Sequence, residues 1–219
     1  MQGLLLKDIY TLFSKTKFFL VLIGIFALLP GASISAFAIF YSVMLPMTAL
    51  AYDEQTKWHQ LAAMMPYSPQ ALVGSKYLLG LLAAVATSAL AWLGQLFTAG
   101  SFTPAELAAS LFDVEAVFYV CLLLCLALCF MMLNLPIMFY FGVEKGRLFN
   151  LLALVIVIVG ISLFVSDESG WLRLVNTLGD QNMYILLLAA AAVALVGNIL
   201  SIMLSVWLYK RKSLQEGHL

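Results

Sequence analysis

Apolar residues fill this chain in long runs, and its polar residues gather into a few islands between them. Six of the runs predict helices able to cross a membrane: residues 18–33, 34–51, 71–99, 114–141, 148–165 and 183–209. Length alone leaves the first pair open. The stretch from Phe18 to Leu29 is short for a crossing of about 30 Å at about 1.5 Å per residue. Pro30-Gly31 after it suits either a hairpin turn or a kink in one longer helix. Ahead of it, Leu5, Ile9, Leu12 and Phe13 recur at helical spacing, while Lys7, Asp8, Thr11, Ser14 and Lys15 take the other face. That pattern predicts a helix over 1–17 lying flat in the membrane interface, with an extension of the first crossing as the alternative.

The longest interior island is YDEQTKWHQLAAMMP over 52–66. Asp53 suits an N-cap, Glu54 places negative charge in the first turn, and Pro66 ends the pattern, so a polar helix is expected over 53–65. Trp58, Leu61, Ala62 and Met65 share one of its faces. A chain that only had to turn around could do so in a few residues. A helix here is therefore either a docking element for something soluble or an interfacial hairpin with no partner. Ser68 and Pro69 read as N-cap and first position of the next helix. Thr103, Pro104 and Glu106 form a capping box for a short exterior helix. The exterior segment 166–182, with Trp171, Leu172, Leu174 and Val175, is either a lid or an interfacial loop anchored by Trp171. Pro136 should kink the fourth run just before the short charged connection 142–147.

Composition identifies the solvent. With 64% hydrophobic and 10% charged residues, against about 45–50% and about 25% in soluble domains, most of the surface must face lipid. The 219 residues then make one all-α, polytopic membrane domain over 1–219 with six crossings. Charge settles the first pair. With a hairpin at Pro30-Gly31, every Lys and Arg except Arg173 falls on one side of the membrane, as the positive-inside rule requires, and both termini lie in the cytoplasm. A single long helix would instead carry Lys57, Lys76 and the final Lys210-Arg211-Lys212 outside. Lys15 and Lys17 followed by a short apolar stretch also resemble a secretory signal, but another apolar run follows at once, which favours a first crossing.

Catalytic groups do not converge anywhere in the sequence. His59 and His218 have no partner at metal-ligand spacing, and Gly74-Ser75-Lys76 lacks the glycine spacing of a phosphate loop. No nucleotide site or cofactor is expected on this chain, and it is read as a non-enzyme. Cys121, Cys125 and Cys129 repeat every four residues on one apolar helix face, where packing is a sufficient account and metal or disulfide the alternative. No charged residue is placed near the middle of a predicted crossing, which disfavours an ion-driven carrier.

Three segments, LLLKDIY, YDEQTKWHQLAAMMPYSPQALVGSKYLLG and LPIMFYFGVEKGR, resemble the permease subunits of ABC-2 type bacterial ABC transporters. The likeness is greatest to the small six-span branch that includes exporters of amphipathic phenol-soluble modulin peptides. The resemblance implies a permease subunit in the bacterial cell membrane, paired with a second copy of itself or a similar permease. Two copies of a separate ABC ATPase would hold the ATP and Mg. It implies that 53–65 is the coupling helix, with Asp53, Glu54, Lys57, Trp58 and Leu61 carrying the ATPase contact and Glu144, Lys145 and Arg147 a lesser one. ATP-driven closure of the ATPase pair would push this helix and reshape the permease interface to export an amphipathic peptide or other hydrophobic cargo. Met44, Met47, Met131, Met138 and Asn134 are candidates for the substrate path, with core packing as the competing role. The short exterior segment leaves no room for a large extracellular domain. The reading from a different class is a six-span substrate-binding subunit of an uptake system, which would bind a small ligand without the ATPase.

Overall fold

The computed structural model describes residues 2–29, 32–65, 67–94, 114–146, 148–149, 152 and 179–216. Among them the regular structure is helical: α1 (Gln2–Lys15), α2 (Lys17–Leu28), α3 (Ala32–Val43), α4 (Leu45–Gln55), α5 (Trp58–Ala63), α6 (Pro69–Gly94), α7 (Val114–Phe141) and α8 (Gly179–Glu216). Four helical stretches are long and apolar enough to cross a membrane: Ile34–Gln55, Pro69–Gly94, Val117–Phe141 and Leu187–Arg211. They coincide with four of the six expected crossings. The run 148–165 apart from Leu148, Phe149 and Leu152, the capping box at 103–106 and most of the exterior segment lie outside the described residues, and residues 179–182 of that segment belong to α8.

The first expected crossing takes another form. α2 has 12 residues, about 18 Å of helix, which falls well short of a hydrocarbon core of about 30 Å. It qualifies as a fifth crossing only together with α1, from which it turns by 89°. Beyond it the chain does fold back. Phe26 meets Phe37 at 5.9 Å and Phe19 stacks on Tyr41 at 6.2 Å, so α2 and α3 run antiparallel. One continuous helix would separate Phe19 from Tyr41 by about 33 Å. The hairpin expected from charge placement is the arrangement observed. α3 and α4 together form the Ile34–Gln55 stretch, interrupted at Met44. The reason is Pro46, which can donate no hydrogen bond and is tolerated only in the first turn of a helix, so a new helix starts at Leu45.

The main core lies where α3, α4, α6, α7 and α8 meet, with Ile39, Val43, Val73, Met131 and Leu135 fully buried. Gly80 marks the tightest crossing. A Cβ there would collide with Met131 Sδ of α7 and stand 2.8 Å from Pro46 Cγ of α4, so only glycine lets the three helices approach this closely.

α7 and α8 run parallel, tied by Asn198 to the Leu128 carbonyl at 3.2 Å, Ser201 to the Met132 carbonyl at 2.6 Å, and Phe139 against Tyr209 at 6.3 Å. The second tie answers a backbone deficit. Pro136 has no N–H to give the carbonyl four residues back, which is that of Met132, and an unsatisfied carbonyl is costly in lipid. Ser201 supplies the missing donor from α8. Its own oxygen lies 2.6 Å from the Tyr77 hydroxyl of α6, which is 2.8 Å from Ser205. The proton order Ser205 to Tyr77 to Ser201 to Met132 satisfies every member and links three helices.

Ser201→Ala should therefore lower stability by about 1 kcal/mol. Pro136→Ala combined with Ser201→Ala should recover most of that loss, because the backbone N–H restored by the first substitution would donate to the Met132 carbonyl directly. Thermal unfolding in detergent reads both, and a double variant as weak as Ser201→Ala would refute the pairing.

Candidate functional site

Polar residues gather at one end of the bundle, at the meeting point of α1, α4 and α6. α1 buries a stripe at four-residue spacing, Leu4, Asp8 and Leu12, so an aspartate occupies an inward position between two leucines. Facing it is Lys76, about two turns into α6. Lys76 Nζ lies 2.8 Å from Asp8 Oδ1 and 2.5 Å from Asp53 Oδ2, at the end of α4. Lys7 Nζ closes the ring at 2.6 Å from Asp53 Oδ1 and 3.0 Å from Asp8 Oδ1. The side chains of Asp8, Lys76 and Asp53 are 2%, 5% and 8% exposed, and that of Lys7 24%. Two ammonium and two carboxylate groups alternate, so the ring is neutral. Such groups tolerate removal from water only because each charge faces two of opposite sign.

Past Asp53 the chain leaves the bundle. The Thr56 hydroxyl donates to the Tyr52 carbonyl at 2.8 Å, ending α4, and Lys57 adopts the left-handed region with φ 54°. For a residue with a side chain that conformation costs about 1 kcal/mol, and it redirects the backbone into α5. Ala62 is buried under α5, whereas Leu61, Met64, Met65 and Tyr67 are exposed, Met64 by 86%. Trp58, the first residue of α5, lies beneath Lys7 Nζ at 4.4 Å from the ring centroid. Ser68 Oγ accepts from the Ala71 N–H at 3.2 Å, and Pro69 opens α6, both as expected from sequence.

The connection after α7 joins the same edge. Gly142 turns the chain at φ 79°, and Glu54 Oε2 accepts from the Val143 N–H at 2.9 Å. A side chain at Gly142 would be strained by that φ and would press on Glu54 Oε1 at 3.0 Å. Glu54, Gln55, Thr56 and Lys57 are exposed, as are Glu144 and Lys145 beside them. The result is an outward-facing strip of methionine, leucine and tyrosine bordered by both signs of charge.

Several residues stand elsewhere than the sequence suggested. The single helix expected over 53–65 is divided, because α4 continues through Gln55 and α5 begins only at Trp58. Asp53 therefore caps nothing in α5, and its carboxylate is consumed by Lys7 and Lys76 instead of facing outward. Trp58 is partly buried, Leu61 exposed, and Arg147 lies outside the described residues. Met47, Met131 and Met138 are buried in the main core and Met44 packs against it. Asn134 is buried and donates to the Phe130 carbonyl of its own helix at 2.8 Å. Lys7, Asp8 and Lys76 were not among the site residues expected from sequence: Lys7 and Asp8 read there as the polar face of an interfacial helix, and Lys76 only as part of a rejected phosphate loop. The available signal was Lys76, a lone cation seven residues into an otherwise apolar helix.

Residues 3–210 match the sequence profile of the family described as ABC-2 family transporter protein. The chain belongs to that family. No curated protein and no solved structure matches it. It is thus a multi-pass membrane protein, the permease subunit of an ABC transporter, and membership implies an ABC ATPase as its partner. The ionic ring of the permease adjoins the start of α5, where Lys7 lies over Trp58.

Lys76→Met leaves two buried carboxylates with one cation and should cost about 3–5 kcal/mol of stability. Lys76→Met with Asp53→Asn restores neutrality, leaving Lys7 opposite Asp8, and should recover much of it. Thermal unfolding of the purified permease checks this, and a harmless Lys76→Met would show that the ring does not hold the helices.

Proposed function

We propose that this permease exports amphipathic peptides or similar hydrophobic cargo, driven by ABC ATPase subunits that dock on α5 and the adjoining 142–146 connection. The observation that carries this reading is the exposed strip of Leu61, Met64, Met65 and Tyr67 beside Glu54, Lys57, Glu144 and Lys145. Flexible methionines and apolar side chains with a polar rim suit the groove of a soluble protein partner. Glu54 joins the two connections, so one partner would meet both together. Lys210 and Arg211 stand at the same end, since Tyr209 packs on Phe139 near the end of α7. This concentration of positive charge supports a cytoplasmic location for the strip and for both termini.

The same reading keeps six crossings, counting α2 with its bent partner α1 as the first. The parallel course of α7 and α8 supports a further crossing by the chain between Gly146 and Gly179. The second permease of the working unit is a copy of this chain or a similar one. Apolar or amphipathic cargo suits an interior in which Ser42 pairs with Thr87 and Tyr77 with Ser201 and Ser205, leaving Asn198 Oδ1 as the buried side-chain oxygen without a partner among the described residues. A sugar or ion would need groups free to replace its water.

Leu61→Glu with Met64→Glu places two charges in the strip and leaves the ionic ring untouched. The expected outcome is loss of ATPase copurification from native membranes while the permease accumulates normally. Retained ATPase at the wild-type ratio would remove α5 from the contact.

A further inference from the structure

α5 follows α4 through a joint. The Thr56 N–H makes the last bond of the α4 ladder, to the Tyr52 carbonyl at 3.0 Å, and Lys57 beyond it occupies the left-handed region, so this pair is where α5 would swivel. A rod that swivels on its mounting passes on no displacement. What bridges the joint is the ammonium of Lys7. It lies 4.4 Å from the ring of Trp58, the first residue beyond the joint, and 2.6 Å from Asp53, in the last turn before it. Behind Asp53, Lys76 belongs to α6, and Asp8 neighbours Lys7 on α1.

We propose that Lys7 is a positioning residue of the transport cycle. Seated between Trp58 and Asp53, it clamps α5 across the joint, so that a push on α5 passes through Asp53 and Lys76 into α6. This rests on the reading of α5 as the ATPase contact. The clamp is stiff for an electrostatic reason. Pulling Lys7 away leaves Asp8 and Asp53 facing Lys76 alone, an unbalanced negative charge in a poorly hydrated place, so the ring resists opening and moves as a unit. Lys7 is also the ring's most exposed member, which places it where the aromatic face of Trp58 can reach it from outside. α1, turned by 89° from α2, can follow that movement at its bend without dragging α2 along its axis.

The permease and its ATPase, reconstituted together in nanodiscs, test this with spin labels after replacement of Cys121, Cys125 and Cys129. Labels at Gln60, in α5 but outside the named contact, and Phe18 report the movement of α5, and labels at Leu93 and Leu188 report the far end of α6; distances are compared without nucleotide and with ATP and vanadate. Lys7→Arg keeps the charge and should keep both shifts. Lys7→Met alone would strand a buried negative charge, whereas Lys7→Met with Asp8→Asn removes one charge of each sign and keeps the ring neutral and the protein folded. This double variant should still bind the ATPase and still move α5, but lose the shift of α6. An undiminished α6 shift in the double variant would overturn the clamp. Loss of both shifts in Lys7→Arg as well would also overturn it, because the side chain would then serve folding only. A wild-type permease that recruits no ATPase, or whose α5 does not move, would bring down the docking reading and the clamp with it.

Discussion

Two lysines and two aspartates, closed into a neutral ring, fix where α1, α4 and α6 meet. An isolated carboxylate or ammonium at this depth would be strongly disfavoured, whereas the four together satisfy one another. The ring therefore acts as one condition that three segments, separated by up to 68 residues of sequence, must meet together. α1 contributes two of the four charges, and so it is held at one position and angle against α4 and α6. With α1 and α6 fixed against the end of α4, the turn at Thr56 and Lys57 directs α5 to a single place.

The same demand that polar groups be satisfied operates deeper in the bundle, in smaller units. Pro136 removes one backbone donor from α7, and the Ser201 hydroxyl of α8 replaces it, backed by Tyr77 and Ser205. Water can repair such a deficit at a soluble surface. In lipid it has to be repaired by another helix, and the repair then dictates how the helices pair. Gly80 works in the opposite sense, by omission, letting α4, α6 and α7 come closer than any side chain would allow.

Much of this was legible along the chain. Four long helices followed from apolar length alone, and the hairpin of α2 on α3 followed from the distribution of lysine and arginine, as Phe19 on Tyr41 bears out. Ser68 and Pro69 announced the start of α6 through local chemistry. The ring was not legible, because helical periodicity compares a residue only with its near neighbours. Asp8 groups with Lys7 and Thr11 on a polar face and so reads as solvated, although it is 1% exposed on the stripe it shares with Leu4 and Leu12. Its partner, Lys76, lies in a different helix, and no local pattern announces a contact across that interval. Asp53 was misread for a related reason: a helix of mixed polarity gives no sign of where one segment stops and the next begins when a left-handed lysine, not a glycine or proline, makes the break.

Where charge is placed bears on how work could enter this molecule. Among the described residues, the charged positions within the four candidate crossings are Asp53, Glu54, Lys76, Lys210 and Arg211, all towards one end of the bundle. A carrier driven by an ion gradient needs ionisable groups along the route the ion takes, near the middle of the membrane. Here they collect instead beside a short exposed helix and behind the joint that carries it. Family membership supplies an ATPase as the partner, and an ATPase delivers displacement, not ions. On the proposed reading, in which that displacement enters at α5, the ionic ring at its base suits the task, since its paired charges tie α1, α4 and α6 together and would move as a unit.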